Sequence, residues 1–323
     1  VGLHRQARLT EAEAACQDVL NAQPSHFGAL HLLGAIAFQT GRAGRAAELI
    51  GQAIALRPDS AEAHNNLGTA LRDLGRAQDA LASYDRAIAL SPDHAEAHYN
   101  RGAALRSLGR VEAALASYAA AIALKPDFAL AHYNRGNALR DLARYDEALA
   151  SYDRAIELKP DFAAAHNNRG NVLRDLARFD DALGSYDRAI ELKPDFAAAH
   201  NNRGNVLRDL ARFDDALASY DRAIAPRPDF AEAYDNRGNT RRDLGRPADA
   251  LADYDTAIAL KPDFAEAHDN RGTALAELGH PEAALSSYGR AIALRPDHAD
   301  SYVNRGDLLR NLGRPDAALA DHD

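Results

Sequence analysis

Apolar residues recur along this chain with a helical beat. In the stretch holding Ala182, Leu183, Tyr186, Ala189 and Ile190 their offsets are 0, 1, 4, 7 and 8. Those offsets make one stripe on a helix of 3.6 residues per turn. The stripe returns every 34 residues, and a proline ends it each time: Pro24, Pro58, Pro92, Pro126, Pro160, Pro194, Pro228, Pro262 and Pro296. Phe162–Asp195 and Phe196–Asp229 differ only at Gly184/Ala218, Glu191/Ala225, Leu192/Pro226 and Lys193/Arg227. A fixed period of this size marks an array of stacked supersecondary units, because one such unit cannot bury its apolar face alone.

Counting the period proline as position 32 gives eight full repeats: 27–60, 61–94, 95–128, 129–162, 163–196, 197–230, 231–264 and 265–298. Residues 1–26 read as the tail of an earlier repeat whose opening helix is mostly missing, and 299–323 as the start of another. The chain therefore reads as a piece of a longer protein. Each repeat predicts two helices. The turn Pro-Asp opens the first, and its aspartate (Asp59, Asp93, Asp127, Asp161, Asp195, Asp229, Asp263, Asp297) is expected to be the N-cap. An acid three residues later, as in Asp59/Glu62, resembles a capping box. Gly41, Gly75, Gly109, Gly245, Gly279 and Gly313 suit a left-handed C-cap, and Ala143, Ala177 and Ala211 take that place in three repeats. Pro247, Pro281 and Pro315 fall in the first turn of the second helix, where a missing N–H does no harm. Small residues such as Gly170 and Ala182 let the two helices approach. Pro226 stands where other repeats have leucine, so the junction after repeat 197–230 is expected to be softer.

Composition narrows the function classes. A net charge of −9 argues against nucleic-acid binding, which needs a basic face. No apolar run approaches the length of a membrane span, which is about 20 residues. The single cysteine, Cys16, can make no internal disulfide and reads as a small apolar helix residue. No apolar h-region follows Val1-Gly2-Leu3-His4-Arg5, and a cytoplasmic location is expected, with any address signal lying outside this sequence. The histidines at 34-residue spacing fall one per repeat, too far apart for one ion. No phosphate-cradling loop, nucleophile elbow or metal motif is visible, so neither a cofactor nor an enzymatic activity is expected of this chain.

The residues His64, Leu67, Gly68, Leu71, Ala80, Tyr84, Ala87 and Pro92 carry a resemblance to the tetratricopeptide repeat, whose pattern is W-x2-L-G-x2-Y, A-x3-F, A, P over 34 residues. The resemblance implies an all-α, right-handed solenoid superhelix of helix-turn-helix repeats. Two departures are systematic. Histidine mostly replaces the first aromatic (His64, His98, His132, His166, His200, His268), with Tyr234 and Tyr302 elsewhere. Arginine replaces the leucine before the glycine at Arg101, Arg135, Arg169, Arg203, Arg237, Arg271 and Arg305. Each arginine is expected to pair with a carboxylate of a second helix, such as Asp153, Asp187, Asp221 or Asp255, or to extend its head to solvent. Wording such as HYNRGNALRDLARYDEALASYDRAIELKPDFA resembles more narrowly the arrays of bacterial SPINDLY-like proteins, relatives of the O-linked N-acetylglucosamine transferases.

In the family the first helix lines a concave groove. Positions 2, 6, 9 and 13 share one side of its wheel. Position 6 is asparagine eight times running: Asn66, Asn100, Asn134, Asn168, Asn202, Asn236, Asn270 and Asn304. A carboxamide offers one acceptor and two donors, so a column of them matches a peptide backbone. The resemblance to the glycosyltransferases implies such a peptide-holding ladder. The alternative is a solvated polar face copied along with whole repeats. An acidic row (Asp73, Asp141, Asp175, Asp209, Asp243, Glu277) and flanking arginines (Arg72, Arg106, Arg140, Arg174, Arg208, Arg242, Arg310) read as ligand contacts or as a salt-bridged surface. Tyr99 and Tyr133 could stack on a ligand. The expected function is a protein-interaction scaffold that holds an extended peptide or partner helix. Two alternatives stand beside it: a substrate-selecting array for a glycosyltransferase domain outside the chain, and self-association through the end repeats.

Overall fold

The computed structural model describes residues 2–314, 317 and 318, with side chains from residue 8 onward. Eighteen helices and no strand occur among the described residues. A lone helix, α1 (Gly2–Ala22), comes first. Helix pairs then follow the repeats: α2 (Phe27–Gln39) and α3 (Ala43–Leu56), α4 (Ala61–Asp73) and α5 (Ala77–Leu90), α6 (Ala95–Ser107) and α7 (Val111–Leu124), α8 (Ala129–Asp141) and α9 (Tyr145–Leu158). The second half holds α10 (Ala163–Asp175) and α11 (Phe179–Leu192), α12 (Ala197–Asp209) and α13 (Phe213–Ile224), α14 (Ala231–Asp243) and α15 (Pro247–Leu260), α16 (Ala265–Glu277) and α17 (Pro281–Leu294), then α18 (Ala299–Asn311). Pro315 and the rest of the second helix expected there lie outside the described residues, apart from residues 317 and 318.

The chain divides into two compact bodies, Val1–Asp161 and Phe162–Asp323. Within each, the two helices of a repeat pack on each other, and the second helix packs on the first helix of the next repeat. In the first body, Leu81, Leu105, Ala114, Tyr118 and Ala138 form one cluster drawn from three successive repeats. In the second body, Ala250 and Tyr254 of one repeat meet Ala274 of the next. This shared burial is what makes stacking obligatory. Each fully buried tyrosine ring contributes on the order of 2–3 kcal/mol of apolar burial.

The close approach inside a hairpin depends on the glycine at position 8. A Cβ added to Gly170 would stand 2.6 Å from Cε1 of Tyr186, and Gly68, Gly102, Gly136, Gly204, Gly238 and Gly272 meet their tyrosines in the same way. The hairpin turns behave as the sequence suggests. The six C-cap glycines have φ between 70° and 77°, and Ala143, Ala177 and Ala211 take φ of 54–55° in their place. Pro247 and Pro281 do stand at the start of their helices.

Two local expectations are corrected. The period aspartates are not N-caps. The cap is the following residue, Ser60 before α4, His94 before α6 and phenylalanine before α8 and α10, while Asp59 and its counterparts are exposed one residue earlier. Ser60 and His94 accept from the N–H three residues on, and the phenylalanine caps offer no side-chain acceptor. The reason is the tight Pro-Asp turn, which consumes the aspartate before helical geometry begins. It also places the later acid out of capping-box register. Second, α1 runs unbroken from Gly2 to Ala22, through the place where the other repeats turn.

Candidate functional site

The position-6 asparagines all lie on the first helix of their repeat and are half-buried. Most of them reach back to the residue at position 5 of the preceding repeat. In the first body, the Nδ2 of Asn66 lies 3.0 Å from His31 Nε2, Asn100 donates to Asn65 Oδ1 (3.0 Å), and Asn134 donates to the Tyr99 hydroxyl (2.8 Å). In the second body, Asn202 donates to Asn167 (3.1 Å), Asn236 to Asn201 (3.1 Å), Asn270 to Asp235 (3.0 Å) and Asn304 to Asp269 (3.1 Å). Asn168 accepts from the Nδ2 of Asn167 at 3.1 Å. The column is therefore a series of clasps between consecutive repeats within each body. Each clasp fixes the orientation of its carboxamide. Asn202 also donates to Asn171 (3.0 Å), so both of its N–H groups are engaged and its oxygen alone is left to accept.

Position 9 has a structural task that the sequence reading did not assign. Its side chain receives the hydroxyl of the tyrosine buried at position 24: Tyr152 donates to Asn137 (2.8 Å), Tyr186 to Asn171 (2.8 Å), Tyr220 to Asn205 (2.9 Å) and Tyr254 to Asn239 (2.8 Å). The signal was present in the sequence. Repeats with a position-24 tyrosine mostly carry Asn or Thr at position 9, whereas repeat 27–60 has Ile50 and Ala35.

Part of the charged rows pairs with itself. Arg106 Nε donates to Asp141 (2.7 Å) and Arg208 Nε to Asp243 (2.6 Å), each across one repeat junction. The Tyr99 ring already packs against neighbouring rings. It lies 4.9 Å from the Phe128 ring and 6.1 Å from that of Tyr118, and burial pushes its hydroxyl pKa up. Tyr133 is likewise paired with Tyr152, at 6.0 Å.

The histidines that replace the family's first aromatic have a structural task. The Nε2 atoms of His64, His98, His132, His200 and His268 lie 2.9–3.2 Å from the carbonyl oxygens of Pro58, Pro92, Pro126, Pro194 and Pro262. Each ring thus ties the start of its helix to the turn before it. Burial lowers the pKa of His132, His200 and His268, which suits a neutral ring donating from Nε2. The position-7 arginines bridge helices as expected: Arg203 pairs with Asp187 (2.7 Å), Arg237 with Asp221 (2.6 Å) and Arg271 with Asp255 (2.6 Å). Each of Arg101, Arg135, Arg169, Arg203 and Arg271 also donates to a serine of its own second helix. No group of metal-ligating side chains occurs among the described residues. No described helix is long and apolar enough to cross a membrane.

These features define a helix-hairpin repeat protein whose repeats are joined by polar clasps along their first helices. The chain belongs to the tetratricopeptide repeat family. A family model described as tetratricopeptide repeat matches residues 3–61, 37–93, 65–129, 167–231 and 270–322, and one described as TPR repeat matches 136–176 and 238–279. Among solved structures, the chain is similar to the Cut9–Hcn1 hetero-tetramer of APC/C (14% identity, 94% of this chain and 60% of that one, TM-score 0.65). It is also similar to a tetratricopeptide repeat protein from Parabacteroides merdae (19% identity, 77% and 98%, TM-score 0.63). A weaker likeness is to YrrB, described as a TPR protein with an unusual peptide-binding site (27% identity, 57% and 95%, TM-score 0.45). No curated protein matches. The matches stop at the repeat family, so the narrower likeness to SPINDLY-like arrays goes no further than the shared wording.

Proposed function

We propose that this chain is a protein-interaction scaffold whose first helices hold an extended peptide segment along the asparagine column. What supports this reading most is the clasp itself. A carboxamide whose orientation is fixed by its neighbour loses little freedom when a ligand arrives, and such preorganisation favours binding. Most clasps use one N–H of the carboxamide, so the column keeps both donor and acceptor capacity. It would therefore meet both the N–H and the C=O groups of a peptide and read backbone rather than sequence. The cytoplasm is the expected setting.

The test compares the full chain with a variant carrying Asn168→Ala, Asn202→Ala and Asn236→Ala in selection from a displayed library of polar peptides. Leu32 occupies position 6 of repeat 27–60, half exposed at 51%, so a repeat tolerates an apolar residue there. The variant should keep its helical circular dichroism and lose at least about tenfold in peptide affinity, the size expected from removing a few hydrogen bonds of about 0.5–1.5 kcal/mol each. Equal recovery of the same peptides by both proteins would reduce the column to a structural clasp.

A further inference from the structure

The position-9 carboxamide closes two donors at once. Asn171 Oδ1 accepts from the hydroxyl of Tyr186 at 2.8 Å and from Nδ2 of Asn202, the column asparagine of the next repeat, at 3.0 Å. Where position 9 is threonine, the tyrosine bond survives at greater length: Tyr84 to Thr69 at 3.3 Å and Tyr288 to Thr273 at 3.2 Å. Repeat 95–128 breaks the rule. Its position 9 is Ala103, beside a tyrosine, Tyr118, that is only 1% exposed. The Tyr118 hydroxyl has no hydrogen-bond partner among the described residues, although the tyrosines at this position in the other six repeats that carry one are all bonded.

A depression of about 350 Å³ opens at this place, lined by Ala103, Arg106, Ser107, Tyr118, Asn134 and Asp141. Two of those residues, Tyr118 and Asn134, are the counterparts of Tyr186 and Asn202, the donors that Asn171 satisfies in the later repeat. Tyr118 stays protonated, because burial pushes its pKa up. Asn134 gives one N–H to the Tyr99 hydroxyl (2.8 Å), and its second has no partner among the described residues. Beside the Arg106 guanidinium, whose Nε is held by Asp141, the rim offers acceptors. Ser107 gives its proton to the carbonyl of Ala104 (2.8 Å), so its lone pairs remain open. Asp141 takes Arg106 Nε on Oδ2 at 2.7 Å, and its other oxygen remains.

We infer that this depression is a side-chain pocket for a primary carboxamide, the end of a glutamine or asparagine on a bound peptide. The ligand's carbonyl oxygen replaces the missing Oδ1 between Tyr118 and Asn134, and its NH2 faces Ser107 and Asp141. A carboxylate fits less well: the Arg106–Asp141 pair already balances its own charge, and a carboxylate has no donor to give to Ser107 and the free oxygen of Asp141. An apolar group would leave the tyrosine hydroxyl buried without a partner. The chain supplies its own contrast. Above Ala35 lies a depression of about 310 Å³ in which Ile50 replaces the tyrosine, so that one lacks the phenolic donor. The inference depends on the peptide-binding reading for its biological ligand, though not for the pocket.

Propionamide is the probe. It is titrated into the full chain while the side-chain amide resonance of Asn134 is followed by NMR. A saturable shift is expected for the native chain. The apparent affinity should fall at least tenfold in Ala103→Asn, which places the protein's own carboxamide in the pocket, and in Tyr118→Phe, which keeps the shape and removes the donor. Ala103→Asn should also raise Tm. Propionate should bind at least tenfold more weakly than propionamide. No saturable shift, an unchanged response in Ala103→Asn, or equal binding of propionate would overturn the assignment. Because the probe has no peptide backbone, its failure leaves the asparagine column untouched, and failure of the column variant in peptide selection leaves the pocket untouched.

Discussion

Ala143, Ala177 and Ala211 hold a left-handed backbone in which an L side chain brings its Cβ too near the following carbonyl oxygen. The equivalent glycines show that nothing is gained in return, since a Cβ built on Gly75 or Gly245 finds no atom within 4 Å. Ala177→Gly should therefore stabilise the chain by about 0.5–1 kcal/mol, the relief of left-handed strain less the extra freedom glycine has when unfolded. Denaturant unfolding would show this as a higher midpoint with an unchanged slope. A lower midpoint would mean that the alanine methyl makes a contact that outweighs the strain. These alanines were visible in the sequence because they interrupt a column of glycines. The N-cap was not, since proline and aspartate before a helix read as a cap whether the turn takes up one residue or two. Only backbone geometry separates Asp59 from Ser60.

Among the helix pairs, that of repeat 231–264 is chemically unlike the rest. Arg241 stands where its neighbours have leucine, and Asp253 where they have serine. The two changes compensate, because Asp253, 3% exposed, accepts from both Arg237 (2.6 Å) and Arg241 (2.9 Å). On the first helix of the same repeat, Asp235 occupies the clasp position that is asparagine in repeats 61–94, 163–196 and 197–230. It accepts from Asn270 and Asn239, yet burial pushes its carboxyl up to about 6. The native chain then holds a proton that the unfolded chain releases near pH 4, so this group lowers stability as pH rises from about 4 to about 6, and the full penalty applies above that. Asp235→Asn keeps an acceptor for Asn270, as Asn201 does for Asn236. The variant should be more stable at pH 7 by on the order of 2 kcal/mol, and its advantage should vanish as pH falls to 4. Denaturant unfolding across that range decides it, and an advantage independent of pH would locate the gain elsewhere. Helix existence and pairing were legible from the apolar stripe alone. The clasp was half legible: the column of asparagines stood out, and its partner at position 5 did not, because His31, Asn65, Tyr99 and Asp235 share an acceptor role and no residue type.

For the molecule as a whole, stability in a stacked array is close to a sum of repeat and nearest-neighbour terms, so one weak junction sets where it opens first. Periodicity made the array readable, and near-identity of repeats made its interruptions readable too. Pro226 is the plainest of these. Leucine at the same position is partly exposed in every repeat, with Leu56 46% exposed and Leu260 41%, so the loss of apolar contact is limited. The backbone carries the effect. Helix α13 stops at Ile224 after 12 residues, where the other second helices of full repeats run 14. The N–H of Arg227 turns to the carbonyl of Ile224 at 3.0 Å, whereas its counterparts Arg57, Lys125 and Lys261 reach back four residues to an alanine. Proline has removed one donor and tightened the last turn. Beyond it, the Phe230 ring is covered by Arg227, whose guanidinium carbon lies 4.0 Å from the centroid. Pro226→Leu should restore the full helix and stabilise the junction between repeats 197–230 and 231–264 by about 1–2 kcal/mol, less than the ~3 kcal/mol of a mid-helix proline because the site is in the last turn. In native-state hydrogen exchange, the amides from Ile224 to Tyr234 should exchange faster than their counterparts one repeat earlier, and the substitution should bring the two sets together. Equal exchange at both junctions in the native chain would show that the tightened turn holds as well as the helix it replaces.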